Sequence, residues 1–240
     1  MLVAGIVLAD HPNTAVDTSR RLAEARQHDV DQRWISISRK RRVPRGLGEV
    51  SIVDQRDELV PKYELLDELL ASIDLSAYDY VLLVDDDVVL PFGFLDVFVD
   101  AQAALRFGLA QPARTTTSSS AYPIVIQHPG LVGRQTRFVE QGPVLSIHRS
   151  VLADIVPFDL RSPMGWGYEN VWTARLEGRA ALGIIDATPV DHSVRTTAGL
   201  YSIGLADQQR RALLATEPHV ATEECMRVIA AVPSWPDGDR

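Results

Sequence analysis

The run Tyr78 to Pro91, YDYVLLVDDDVVLP, constrains the fold of this chain more than any other stretch. Its first half is a short aliphatic segment of the kind that forms a strand buried on both faces. It ends on Asp85, Asp86 and Asp87 and then turns apolar again. Neighbouring carboxylates raise one another's pKa and cost free energy unless a positive group lies among them. In parallel α/β sheets, ligands sit beyond the carboxyl ends of the strands. A buried strand that delivers three aspartates to such an end therefore predicts a cation-binding site on an α/β sheet.

The flanking pattern agrees. Leu2 to Ala9 reads as a buried strand, Ala15 to Gln27 as a helix, and Arg33 to Ser38 as a strand with period-two alternation. After a basic loop and Val50 to Val53, the segment Glu58 to Ala71 carries Leu59, Tyr63, Leu66 and Leu70 at helical spacing, widened by Leu65 and Leu69. It leads into the strand Tyr80 to Val84. Phe92 to Arg106 supplies another amphipathic helix and Gly108 to Pro112 a short strand. This alternation predicts a largely parallel sheet with helices on both faces.

The second half is less regular. The Thr/Ser tract Thr115 to Ser120 is too short for a linker and reads as a loop within one domain. Strands are expected at Tyr122 to Gln127, Val144 to His148 and Ala181 to Asp186, with a short extended piece at Val190 to His192. Gly-containing and Pro/Gly-rich loops run to Arg137 and over Pro157 to Gly167. Ser150 is expected to cap a short helix, and helices are expected over Glu169 to Gly178, Ala206 to Ala215 and Thr222 to Ala231. There is no internal repeat, and 240 residues with this content suit one large α/β domain.

Composition narrows the function. A formal net charge of -8 argues against a nucleic-acid binder, whose phosphate contacts usually leave a basic surface. Cys225 is the single cysteine, which excludes an internal disulfide and a thiolate-rich zinc site. The N-terminal run MLVAGIVLAD lacks a basic region and a cleavage site, so it reads as a strand and not a signal peptide. No apolar stretch reaches the roughly 18 residues of a membrane span, and the expectation is a soluble, cytoplasmic protein. The run Arg39, Lys40, Arg41, Arg42 with Arg45 is a compact basic cluster in an acidic chain. It reads as a solvated loop, with a phosphate or lipid clamp as the alternative.

Several enzyme types place acids after such a strand. A response-regulator receiver would begin there and carry a phosphoacceptor aspartate about two βα units on, where HPGLVGRQ has no acid. A haloacid-dehalogenase-type phosphatase would carry its nucleophile on the first strand and a later acidic pair for the metal; here several elements precede the cluster and the downstream acid is Glu169, so it stands as a runner-up reading. Asp85-x-Asp87 is similar to the DxD element of nucleotide-sugar glycosyltransferases of the GT-A fold, in which it bridges ribose and a divalent metal on the donor diphosphate. Hard cations such as Mn2+ or Mg2+ prefer oxygen ligands and leave positions for phosphate oxygens.

GWGYEN, Gly165 to Asn170, resembles the Trp-Gly-x-Glu-Asp/Asn elements of galactosyl- and N-acetylgalactosaminyltransferases, and VDHSVR places His192 where those enzymes often supply a third metal ligand. The blocks VDDD, LAQPA (Leu109 to Ala113), FVEQGPVLS (Phe138 to Ser146), GWGYE, GIIDATPVDH (Gly183 to His192) and Thr196-Thr197 resemble an uncharacterised glycosyltransferase-like family abundant in plants and found in bacteria. The likeness covers roughly Tyr78 to Thr197.

It implies a GT-A-like (Rossmann-like) single domain with a mostly parallel central sheet. Residues 1–112 would bind the nucleoside-diphosphate sugar, a UDP-sugar first among candidates, and residues 113–240 an unidentified saccharide or small-molecule acceptor. It implies Asp85 on the ribose side and on the metal, Asp87 and His192 on the metal, and Trp166 on the sugar, with Gly165 and Gly167 allowing close approach. Glu169 would be the catalytic carboxylate, facing the acceptor hydroxyl or donor sugar, and Glu140 a second acid on the acceptor side. Asn170 stands where inverting relatives usually carry a second acid, which leaves a non-catalytic nucleotide-sugar or carbohydrate binder as the alternative. Asp10 follows the first strand, where the nucleotide base would lie. Lys62 would approach the donor and Arg195 the diphosphate.

Overall fold

A computed structural model describes residues 1–40, 42–47, 52–57, 59–118, 120–195 and 201–235. The expectations at Arg41, at Val50 and Ser51, at Glu58 and at Thr196 and Thr197 lie outside the described residues. The first half follows its periodicity closely. Strands β1 (Leu2–Leu8), β2 (Asp31–Ile37), β3 (Ile52–Arg56) and β4 (Tyr80–Asp85) pair in parallel in the order β3-β2-β1-β4. Helix α1 (Ala15–Ala23) joins β1 to β2, α2 (Lys62–Ala71) joins β3 to β4, and α3 (Phe94–Ala104) follows β4. Alternation along each strand sorts the side chains. Leu2 and Ala4 of β1 with Val81 and Leu83 of β4 join Tyr63, Leu66 and Leu70 of α2 on one face. Val3 and Val7 with Leu82 and Val84 join Leu22 of α1 and Phe94 and Phe98 of α3 on the other. Gly5 stands beside Trp34 in register, and a Cβ there would lie 2.4 Å from its indole ring.

Beyond β4 the sheet is mixed. Strands β5 (Phe107–Arg114), β6 (Gly133–Thr136), β7 (Val144–His148), β8 (Ala181–Val190) and β9 (Val228–Val232) complete a nine-stranded sheet in the order β3-β2-β1-β4-β7-β5-β8-β6-β9. There β5 and β8 pair in parallel, β7 enters antiparallel between β4 and β5, and β6 is antiparallel to β8 and β9. Helices α4 (Leu152–Ile155) and α5 (Tyr168–Leu176) share the α2 face through Ile155, Val171 and Trp172. Helices α6 (Ile203–Leu214) and α7 (Thr222–Cys225) precede the last strand. Among the described residues no helix is long and apolar enough to cross a membrane.

Several sequence expectations are corrected here. Tyr122 to Gln127 is no strand but a 3-10 turn over Pro123–Val125, because Pro123 has no N–H to donate and the Arg134 guanidinium takes the carbonyls of Ile124 and Ile126. The helix expected over Thr222 to Ala231 stops at Cys225, and the β-branched run that follows becomes edge strand β9. Strand β6 lies in what reads as loop. His148, not Ser150, caps the turn Arg149–Val151, its ring nitrogen accepting from Ser150 N at 3.3 Å. Pro61 delays the start of α2, and Leu59 is 58% exposed instead of joining its buried stripe.

Candidate functional site

Strand β4 ends on Asp85, and the following turn carries Asp86 and Asp87. Asp86 turns inward. It accepts from Leu8 N at the end of β1 at 2.7 Å and from the Arg195 guanidinium, while Thr14 at the start of α1 donates to the Asp86 carbonyl. Burial pushes the Asp86 carboxyl above its ordinary range, against the pull of Arg195. The middle aspartate thus clamps β1, α1 and the turn together.

Asp85 and Asp87 face a cavity of about 390 Å³. The Asp87 carboxylate lies 3.1 Å from His192 Nε2 and 3.1 Å from Arg195 Nε. Burial opposes its ionisation, but the hydrogen bond and charge of His192, then Arg195 and Lys62, outweigh it and hold the carboxyl below its ordinary range. Asp85 pairs with Lys62 Nζ at 2.7 Å. These three side chains come from two places: α2 carries Lys62, while His192 and Arg195 both follow β8.

The His192 segment is held by the Thr/Ser tract. Thr115 and Thr117 hydroxyls donate to Asp191 at 2.8 and 2.7 Å, and Ser118 Oγ accepts from His192 N at 2.8 Å. The antiparallel entry of β7 brings a second acidic wall. Its leading segment passes Asp85, whose N–H donates to the Pro143 carbonyl at 2.8 Å. Gly142 packs closely against this pair: a Cβ there would lie 3.0 Å from both Asp85 Oδ2 and Lys62 Nζ. Glu140 also lines the cavity and is bridged by Arg114 from the end of β5 at 2.6 Å. Burial raises the Glu140 carboxyl, opposed by Arg114, His192 and Lys62.

The cavity therefore gathers Asp85, Asp87, Lys62, Glu140, His192 and Arg195. It does not gather every residue expected there. Glu169 is buried, with Tyr122 Oη 3.4 Å from Oε1 and, among the described residues, no hydrogen-bond partner for Oε2, and burial raises its carboxyl to about 7. Asn170 donates to the Val220 carbonyl at 2.8 Å and to Thr222 Oγ1 at 3.2 Å, so it ties α5 to the C-terminal segment and does not line the cavity. Trp166 is half-buried and donates to Tyr201 Oη at 3.1 Å; Tyr201, not Trp166, reaches the cavity wall. Gly165 and Gly167 have φ of 83° and 91°, and their bare α-carbons admit Tyr63 and Arg210, parts of the protein itself. Asp10 stands apart from this cavity and accepts from Arg39 N and Ser38 Oγ. Arg114 and Tyr201 have no signal in the sequence, since a single arginine or tyrosine on a strand end or loop looks like any other.

The donor set fits a hard divalent ion. One oxygen from Asp85, one from Asp87 and a ring nitrogen from His192 lie within 4.8 Å of one another. Two carboxylates and one imidazole, without thiolate, suit Mn2+ or Mg2+ better than a soft metal.

No family model matches the chain, and no curated protein matches it in sequence. Solved structures do. GalNAc-T7 with UDP, GalNAc and Mn2+ superposes with a TM-score of 0.63 at 11% identity, over 89% of this chain and 48% of that one. Residues 1–349 of S. aureus TarS with UDP-GlcNAc give a TM-score of 0.57 at 9% identity, over 89% of this chain and 65% of that one. Glucosyl-3-phosphoglycerate synthase from Mycobacterium tuberculosis with Mg2+ and UDP gives 0.55 at 14% identity, over 93% and 78%. The chain thus spans about half the length of the first and about two thirds of the second. At these identities the likeness is one of architecture, and the chain has the GT-A-like α/β fold that these glycosyltransferases share.

Proposed function

We propose that this chain is a metal-dependent glycosyltransferase that moves a sugar from a nucleoside-diphosphate sugar, with uridine as the base, to an acceptor still to be identified. The observation that carries the reading is the convergence of Asp85, Asp87 and His192 at the carboxyl end of β4, in a cavity of about 390 Å³ on a GT-A-like fold. Asp85, Asp87 and His192 would hold Mn2+ or Mg2+. Bound there, the ion supplies positive charge to the departing diphosphate, the main electrostatic task of such a transfer.

The chain's own residues account for the rest of the reading. Lys62 and Arg195 balance the aspartates and present charge to phosphate oxygens. Residues 1–112, joined by His192 and Arg195 from the second half, make the donor side, and the rest of residues 113–240 the acceptor side. Glu140 and Glu169 are the carboxylates for the sugar and acceptor. Glu169, raised to about 7, has the proton affinity of a general base near neutrality, and it would meet a substrate by displacement of the Tyr122 segment packed on it. Trp166 supports the sugar side through Tyr201. Asn170 is engaged by Val220 and Thr222, so this reading asks no catalytic role of it.

Titration calorimetry with UDP, GDP and CDP, with and without Mn2+, on the native chain and on Asp87→Ala, tests the proposal. One nucleotide, expected to be UDP, should bind in a Mn2+-dependent way that the variant loses. Absence of metal-dependent binding for all three refutes the donor-site reading.

A further inference from the structure

The Thr/Ser tract opens a loop whose two ends meet, because Gln127 N donates to the Arg114 carbonyl at 2.8 Å. Residues 115–118 and 120–126 of this loop touch three parts of the site. At its near end, Thr115 and Thr117 donate to Asp191 Oδ2 at 2.8 and 2.7 Å, and Ser118 Oγ accepts from His192 N and donates to the Val190 carbonyl at 3.3 Å. Burial opposes ionisation of Asp191, but hydrogen bonds from Ser193, Thr117 and Thr115 outweigh it and hold the carboxyl below its ordinary range. In the middle, Ala121 lines the cavity. Toward the far end, the Tyr122 ring packs on Phe138 with centroids 4.8 Å apart, and its hydroxyl stands over Glu169. Arg134 takes the carbonyls of Ile124 and Ile126, which leaves the part from Thr115 to Tyr122 as the part able to shift.

The two ends are held unequally. At 3.4 Å the Tyr122 to Glu169 contact is longer than an ordinary O–H···O hydrogen bond, and Glu169 Oε2 has no hydrogen-bond partner among the described residues. Ala121 and Pro123, on either side of Tyr122, are exposed. The cover over Glu169 is therefore weak at Tyr122 and firm at Asp191, so the Asp191 end sets where the cover rests. The other ionisable groups that face Glu169 are Glu140, Tyr63 and Cys225, none of which belongs to this loop.

We propose that Tyr122 and Asp191 are positioning residues joined by this loop. Tyr122 covers Glu169 until the acceptor displaces it, and Asp191 fastens the loop beside His192, so filling of the metal and donor site and uncovering of Glu169 bias one another. The coupling rests on the reading of Glu169 as the acceptor-side base and of His192 as a metal ligand.

Urea unfolding from about pH 4 to about pH 8, with and without Glu169→Gln in each background, reads the Glu169 titration in the metal-free chain. Tyr122→Ala lets water reach the carboxyl and should move that titration down by roughly one unit or more, whereas Tyr122→Phe keeps the ring in place and should not lower it. Asp191→Ala and Thr117→Val touch no atom of Glu169, yet each should also move it down; Thr117→Ser, which keeps the hydroxyl, should restore it. Adding Mn2+ and UDP should shift the titration in the native chain and leave it unmoved in Asp191→Ala. The proposal is overturned if Asp191→Ala and Thr117→Val leave the Glu169 titration at its native position, even where Mn2+ and UDP bind. If the titration moves in those variants but Mn2+ and UDP do not bind the native chain, the donor-site reading fails and the hold of the loop on Glu169 stands. The same unfolding curves establish that each variant is folded.

Discussion

Glu169 makes the strongest quantitative claim in this molecule. Its carboxyl is buried, one oxygen has no hydrogen-bond partner among the described residues, and burial lifts its pKa from the ordinary 4.5 to about 7. Below about pH 4.5 the group is protonated whether the chain is folded or not, so it exerts no pH-dependent effect. As pH rises from there, the unfolded chain releases the proton while the folded chain keeps it. Stability therefore falls with rising pH until the folded group also ionises, near 7. A shift of this size at about 1.4 kcal/mol per pKa unit amounts to about 3 kcal/mol. Glu169→Gln preserves the shape of the protonated acid and removes the titration. Urea unfolding of both proteins from about pH 4 to about pH 8 should give a variant whose advantage over the native chain grows by about 3 kcal/mol. The titration of every other group, buried Glu140 included, largely cancels in the difference. Parallel stability curves for the two proteins would falsify the desolvation argument and the raised proton affinity of Glu169.

Two further outcomes follow from packing. Arg134 is buried and bonds Asp186 from Nε at 2.8 Å while holding the carbonyls of Ile124 and Ile126, so Arg134→Met should cost about 3–5 kcal/mol in denaturant unfolding, and adding Asp186→Leu should recover much of it. Gly5→Ala drives a methyl group into the Trp34 ring at 2.4 Å and should lower stability by about 1–3 kcal/mol, read from the unfolding midpoint at unchanged slope.

What the sequence determined by itself is what local chemistry encodes. Period-two and 3.6-residue patterns placed β1, β2, β4, α1, α2 and α3 because each buries its apolar side against the same sheet wherever that sheet runs. The aspartates at the end of β4 were legible as a cluster that calls for positive charge, since carboxylates at a strand end are costly without a cation, and the resemblance pointed to His192, which the fold brings within reach of Asp85 and Asp87. Strand pairing beyond β4 was not legible. The antiparallel entry of β7 joins Val84 to Val144, sixty residues on, and no local pattern encodes a partner at that separation. That pairing carries Glu140 and Gly142 to the cavity. The roles of the polar residues in GWGYEN also waited on tertiary structure. Glu169, Asn170 and Trp166 are adjacent in sequence, yet one meets Tyr122, one Val220 and one Tyr201. A polar side chain has the chemistry of its partners, and those partners are chosen by packing across the whole chain.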